Sequence, residues 1–317
     1  MEKKLRIIAA VVVIGLIMVG CDESASNGNG NGNGYDNGHT PIEMVRVEGG
    51  TFELGRELGG HASGDTTPVS TVTLTGFYMG KFLVTQGEWY DVMGNRPSFF
   101  TGTNIWGGGT APETFDRRDL PVERVSWYDA IVFANRLSEL RGLTPAYEMQ
   151  TAANTSEWST DPATWGALPM SNNARWNNVR VITGSTGYRL PTEAQWEFAA
   201  KGGNEGETYT FSGSNDADEV AWHNGNSGGR TRPVGTLAPN GLGIYDMSGN
   251  VWEWVWDWWG SYTSEAKTDP TGASSGTDRV LRSGCWNVAG VNSRSVNRQT
   301  ALPDNRFTYI GFRLVRP

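Results

Sequence analysis

In RPVGTLAPNGLGIYDMSGNVWEWVWDWW, residues 232–259, tryptophan recurs at every second position from Trp252 to Trp258. Successive side chains of an extended chain point to opposite faces, so on a strand Trp252, Trp254, Trp256 and Trp258 share one face. Most of that stripe reads as core beneath irregular loops. Exposed members would offer flat platforms for sugar rings, and Trp259 and Trp286 are further candidates for ligand contact. Outward from the stripe, alternation or β-branched enrichment marks strands at 44–47, 69–74, 77–81, 251–256, 279–282 and 312–315.

Three segments carry helix start signals. Thr85 to Glu88 has capping-box spacing before an aromatic run closed by Gly94. Ser126 precedes Trp127, Ala130, Ile131, Ala134 and Leu137, whose spacing makes one apolar stripe, and Gly142 ends it. Thr192 to Gln195 is another capping box, followed by EFAAK and then Gly202-Gly203. Helices and strands are interspersed without a regular βαβ rhythm, so the class is α+β and irregular. The 42 glycines and 14 tryptophans of the 317 residues fit this class, with many turns pinned by large aromatic anchors.

The chain opens with Lys3, Lys4 and Arg6, then an unbroken apolar and glycine run at 7–20 ending in Gly20-Cys21. The run is too short for a bilayer span and suits the apolar region of a signal peptide. The junction resembles a bacterial lipobox, so residues 1–20 are expected to be cleaved and Cys21 acylated, with release as an ordinary secreted protein as the alternative. Residues 21–40 then form an Asn/Gly-rich flexible tether, and 41–317 one domain. The expected location is outside the cytoplasm, as a lipoprotein at the membrane surface.

A lipidated Cys21 leaves Cys285 without a disulfide partner. A domain of this size buries enough apolar surface to fold without one. Net charge is −8, and loss of three basic groups and one acid with residues 1–20 takes it to −10. An acidic surface repels phosphate backbones, which argues against nucleic-acid partners. The histidines are His39, His61 and His223, too scattered for a His/Cys zinc site. No nucleophile elbow, phosphate loop or dinucleotide fingerprint occurs. A carboxylate pair for glycoside hydrolysis is visible only in three dimensions.

Longer segments are more specific. VEGGTFELG at 47–55, LPVERVSWYDAIVFANRLSE at 120–139, GYRLPTEAQWEFAAKGG at 187–203, the opening stretch, RVLRSGCWN at 279–287 and IGFRLV at 310–315 follow one another in a familiar order. In order and content they resemble the formylglycine-generating enzyme family, also called sulfatase-modifying factor domains, over nearly all of 41–317. The resemblance implies a C-type-lectin-like α+β fold with little regular secondary structure.

The resemblance also implies an activity, copper-dependent oxidation of a sulfatase cysteine to formylglycine at a pair of cysteines near the C-terminus. Soft Cu(I) prefers such thiolates. In Arg282-Ser283-Gly284-Cys285-Trp286, Cys285 takes the place of the family's Ser, and the two catalytic positions fall near Val288 and Ser293. No cysteine follows Cys285, so copper at a bis-thiolate site is not expected. The iron-binding sulfoxide-synthase branch adds a histidine-bearing helical domain that has no counterpart here.

Calcium is a second implied feature, with ligands mapping onto the Asp246 and Glu253 side chains and the Gly249 and Val251 carbonyls. Oxygen-only ligation suits a structural Ca²⁺. The competing arrangement has Asp246 capping a turn and Glu253 paired with an arginine. Cys285 reads as a small buried residue, with a reactive thiol as the alternative. The expected function is non-catalytic binding or scaffolding of a protein, peptide or glycan at the cell envelope. The alternatives are oxidation of a substrate cysteine by a non-standard site and hydrolysis or group transfer by acidic residues of the cleft.

Overall fold

The computed structural model describes residues 42–58, 64–110, 114–206 and 208–317. The expected signal peptide, Cys21 and the tether lie outside the described residues. Among the described residues no helix is long and apolar enough to cross a membrane.

The three capping signals start three helices. Thr85 caps α1, Gln86–Met93, accepting from the Glu88 N–H at 3.2 Å while the Glu88 carboxylate accepts from the Thr85 N–H at 2.8 Å. Gly94 closes that helix in the left-handed region, at φ 73°. Ser126 and Asp129 exchange the same pair of bonds, at 3.1 and 2.7 Å, ahead of α2, Trp127–Leu140. Eleven of its 14 residues are buried, so α2 runs through the core instead of lying on it. A short helix, α3, spans Ala174–Asn177. Thr192 and Gln195 box the start of α4, Glu193–Ala200, whose eight residues are all buried. The last, α5, spans Ala217–Val220.

The tryptophan stripe forms the strand Trp252–Trp258, inner member of a four-stranded sheet ordered Gln299–Ala301, Arg279–Arg282, Trp252–Trp258, Ile310–Gly311. Glu253 opposes Arg282 and Trp254 opposes Leu281, with a register irregularity before Trp258 meets Arg279. The stripe reading holds for Trp252, Trp254 and Trp256, which pack into or against the cluster around α2. Both faces of the strand are buried, however. Val255 belongs to a second cluster with Trp196 and Phe198 of α4, and Glu253 and Asp257 point the same way. The strand therefore divides two cores. The Trp127 indole N–H ties them together, donating to the Val255 carbonyl at 2.9 Å, and within the first core the Trp254 indole N–H donates to the Val125 carbonyl at 2.9 Å.

Three further three-stranded sheets occur among the described residues: one orders Trp158–Ser159, Tyr147–Gln150, Arg180–Val181, and two involve the first strands of the domain. Of these two, one orders Met44–Val47, Phe77–Gly80, Val315–Arg316; the other orders Lys267–Thr268, Ser70–Leu74, Gly50–Leu54. The expected strand at 312–315 is not one strand. Ile310–Gly311 pairs parallel with Trp252 and Glu253, whereas Val315 and Arg316 pair antiparallel with Met79 and Tyr78. Residues 312–314 carry the chain from one sheet to the other, and their carbonyls accept from loop and strand-end N–H groups of Val84 and Gly80. Alternating apolar residues were read there as one strand, but the partners change halfway.

Candidate functional site

A cleft of about 420 Å³ opens beside the edge strand Gln299–Ala301. Its wall includes Asn287, Val288, Gln299, Thr300, Phe307 and Tyr309. Phe307 and Tyr309 stack with ring centres 5.1 Å apart and planes 8° apart, and Phe307 is 41% exposed. At the strand edge the Thr300 N–H donates to the Gln299 side-chain carbonyl at 2.9 Å, and among the described residues no neighbouring strand lies on that side. The lining holds amides, a hydroxyl, apolar groups and aromatic rings. It contains no carboxylate, histidine or amine.

Cys285 lies behind this wall and is fully buried in the α2 cluster. Its thiol donates to Asn287 Oδ1 at 2.9 Å, and burial pushes its pKa up to about 12, against smaller lowering by hydrogen bonds from the Asn287 and Val288 backbone. A thiol so held is protonated and inert at neutral pH. Of the two positions where the resemblance places catalytic cysteines, Val288 lines the cleft. Ser293 is fully buried against Gly284, where an added Cβ would meet its Oγ at 2.4 Å.

The motif around Cys285 is anchored by charge. Arg282 is fully buried and donates to Glu197 Oε2 at 2.6 Å and Glu193 Oε1 at 3.2 Å, both from α4. Lys201 reaches Glu197 Oε1 at 2.7 Å, and Arg298 holds Glu193 at 2.6 and 2.8 Å. Coulombic attraction from Lys201 and Arg282 outweighs burial and holds the Glu197 carboxyl below its ordinary pKa. Sequence reasoning had not singled out these residues. The signal available was the recurrence of acid at Glu193 and Glu197, one helical turn apart, with Lys201 a further turn along the same face.

Residues 34–317 match the sulfatase-modifying factor enzyme 1-like domain. The chain belongs to the FGE-sulfatase family. Chaperone protein LppX of Paenibacillus barcinonensis is 36% identical over 280 residues, covering 82% of this chain and 85% of that one. The formylglycine-generating enzyme of Streptomyces coelicolor is 30% identical over 298 residues, covering 85% and 88%. Among solved structures, Treponema denticola variable protein 1 superposes with a TM-score of 0.76 at 35% identity, over 86% of this chain and 95% of that one. The α+β class and the irregular C-type-lectin-like fold expected from the sequence are thus those of the FGE-sulfatase domain.

Within this FGE-sulfatase domain the donors for metals are arranged otherwise than the resemblance implies. Both Glu253 oxygens are engaged, by Arg313 at 2.7 and 2.9 Å and by the Trp196 indole N–H at 2.9 Å. The Gly249 carbonyl accepts from Ser283 Oγ at 3.0 Å. Asp246, in the left-handed region at φ 55°, accepts from the Gly235 N–H at 2.8 Å and from Asn250 at 3.3 Å. Burial raises its carboxyl pKa to about 6. So disposed, Glu253 pairs with the Arg313 guanidinium, the arrangement that competes with calcium ligation, and Asp246 and the Gly249 carbonyl are engaged by protein donors. A thiolate copper site does not fit, since Val288 and the buried Ser293 supply no second thiol beside the protonated Cys285. Among the described residues no three His, Cys, Asp or Glu side chains converge as a metal-binding group.

The aromatic candidates divide. Trp286 is 3% exposed, donates to the Thr308 carbonyl at 3.0 Å and packs edge-on against Phe100, so it is core and not a platform. Trp259 is partly buried, and the Arg298 guanidinium covers its ring at 4.2 Å. Exposed rings among the described residues are instead Tyr90, Trp106, Tyr209 and Phe307, with Trp106 6.1 Å from Trp286. His223 meets Asp218 at 2.8 Å and accepts from the Gly225 N–H, a loop pairing that includes no serine hydroxyl.

Proposed function

We propose that this chain is an exported lipoprotein whose FGE-sulfatase domain binds a polypeptide at the cell envelope and does not oxidise one. The observation that carries this reading is the cleft itself. Beside Val288, one of the two positions where the resemblance places a catalytic cysteine, the wall is built of amides, a hydroxyl and stacked rings, and the one nearby thiol is sealed and protonated. Such a surface recognises and releases, with no group to take a proton or electron from a ligand.

The edge strand supports an extended peptide as the ligand. The Gln299 side chain satisfies the Thr300 N–H where a further strand would pair, and an incoming backbone replaces it with main-chain bonds. The Phe307–Tyr309 stack then offers an apolar seat for alternate side chains of that peptide. The name of the relative LppX, a chaperone protein, agrees with a protein client. The lipobox-like Gly20-Cys21 junction and the Asn/Gly-rich residues after it support anchorage on a flexible tether.

Two measurements on the full-length protein decide it. With copper, oxygen and a Cys-x-Pro-x-Arg peptide, aldehyde formation stays at the level of a Cys285→Ser control. A reduced, carboxymethylated protein client is bound, and the Phe307→Ala/Tyr309→Ala pair weakens that binding about tenfold or more. Aldehyde above the control, or client binding indifferent to the pair, overturns the proposal.

A further inference from the structure

A second cavity, of about 510 Å³, lies at the far end of the strand Trp252–Trp258 and shares no lining residue with the cleft. Asp257 and Trp258 form its inner wall together with Glu193 at the start of α4. The charge on Glu193 is already answered by Arg282 and Arg298, and Arg298 also donates to the Asp65 and Gly260 carbonyls. Asp257 differs. It is 4% exposed, and its Oδ2 accepts from the Glu193 N–H at 2.8 Å. Its Oδ1 takes no hydrogen bond among the described residues, and Asp257 lines the cavity.

The space in front of that oxygen is kept by a glycine. Gly272 sits in the left-handed region at φ +82°, and a Cβ there would stand 2.7 Å from Oδ1. A buried acceptor without a donor costs free energy, and a ligand hydroxyl removes that cost. Burial, and after it the Glu193 charge, raise the Asp257 carboxyl pKa to about 7, so near neutral pH it both donates and accepts hydrogen bonds. Arg279, stacked on the Trp258 ring at 3.3 Å, and Arg298 both act electrostatically on Asp257. Their pull is weaker than burial and Glu193, and a carboxyl that is partly neutral suits an uncharged hydroxyl better than a metal ion or an ammonium group. Around it stand Ser261, Thr268 and Thr271, with Lys267 completing the polar lining and Trp258 and Pro270 giving apolar wall.

We propose that this cavity binds an uncharged saccharide of one or two rings. Ring hydroxyls exchange hydrogen bonds with Asp257 Oδ1 and with the Thr268, Thr271 and Lys267 side chains, and the C–H face of the ring packs on Pro270. The site is independent of peptide binding at the cleft.

Titration of the full-length protein with glucose, N-acetylglucosamine and maltose, with putrescine as the cationic control, tests the assignment. Saturable millimolar binding of at least one saccharide is expected, with none of putrescine. Asp257→Asn weakens it about tenfold, and Lys267→Met about threefold with an unchanged melting temperature. The cleft variant Phe307→Ala leaves it unchanged. The assignment is overturned by absence of saturation with all three saccharides, by binding of putrescine alone, by wild-type affinity in both Asp257→Asn and Lys267→Met, or by loss of sugar binding in Phe307→Ala.

Discussion

On one side of the strand Trp252–Trp258, indoles pack among the side chains of α2 and back the open cleft. On the other side, Glu253 and Asp257 are buried against α4. The first side is apolar up to a rim of amides and exposed rings, except for the buried Arg279 guanidinium, which stacks on Trp127, Trp256 and Trp258. The second holds a seam of charge in which Glu253, Arg313, Glu193, Glu197, Arg282 and Arg298 are all buried. A buried ion pair adds little over a well-packed apolar pair, but removing one partner strands a charge in low dielectric. The charged side is thus intolerant of single changes, and the cleft side is free to change. A domain built this way keeps its scaffold while its recognition surface departs from oxidase chemistry.

The largest expected effect breaks the charged side. Arg313→Met leaves Glu253 buried and unpaired and lowers unfolding free energy by about 3–5 kcal/mol in denaturant titration. Phe307→Ala, on the cleft rim, costs less than about 1 kcal/mol by the same measurement. Equal losses would erase the contrast. Millimolar Ca²⁺ or a chelator leaves the wild-type midpoint unchanged, because Arg313 already holds Glu253. A rise with Ca²⁺ would show that this pair opens for the ion.

Next in size is a pH dependence at Asp257. Burial first, and the charge of Glu193 second, raise its carboxyl from 3.8 to about 7. Between those values the folded chain binds a proton that the unfolded chain has lost, so stability from this group is full below pH 4 and falls as pH rises to 7. Asp257→Asn removes the dependence. Its advantage over wild type therefore grows by a few kcal/mol between pH 4 and 7.5, with about 4 kcal/mol as a ceiling. A constant difference across that window would show that Asp257 ionises normally in the fold.

On the α2 side, Ser126→Ala loses the cap of the central helix and costs about 1–2 kcal/mol, since the Asp129 N–H is left without its acceptor in a buried setting. The pairing of Arg306 with Asp129 at 2.7 Å persists in that variant and limits the loss.

These features were unequally legible. The starts of α1, α2 and α4 could be read because a capping box is a contact between residues three apart. The fate of 312–315 could not, because its partners, Trp252 with Glu253 and Met79 with Tyr78, lie far away in sequence and belong to different sheets. Alternation in the tryptophan stripe revealed the strand but not that its intervening residues face a second core. The pairing of Glu253 with an arginine was foreseeable as one of two arrangements, and only the position of Arg313 selects it. Trp286 was offered as a ligand contact from its place in the motif, but burial against Phe100 depends on a loop almost two hundred residues earlier. The cleft carries no motif at all: Asn287, Gln299 and Phe307 are ordinary residues made into a site by the edge strand beside them.

The smallest effect on stability, and the sharpest on chemistry, concerns Cys285. Its thiol sits on the apolar side of the divide, so replacing it with the smaller Ser costs under about 1.5 kcal/mol, provided the hydroxyl keeps the bond to Asn287. Reactivity separates the buried thiol from a nucleophile more cleanly. With its pKa at about 12 and no exposed surface, the thiol of the folded protein resists iodoacetamide at pH 8 for hours. It reacts once denaturant opens the core, as mass spectrometry of the peptide containing Cys285 would show. Labelling of the folded protein at a rate independent of denaturant would place a live thiol at the cleft. The apolar side of the strand would then be a reactive surface, and oxidation would again compete with binding as the work of this domain.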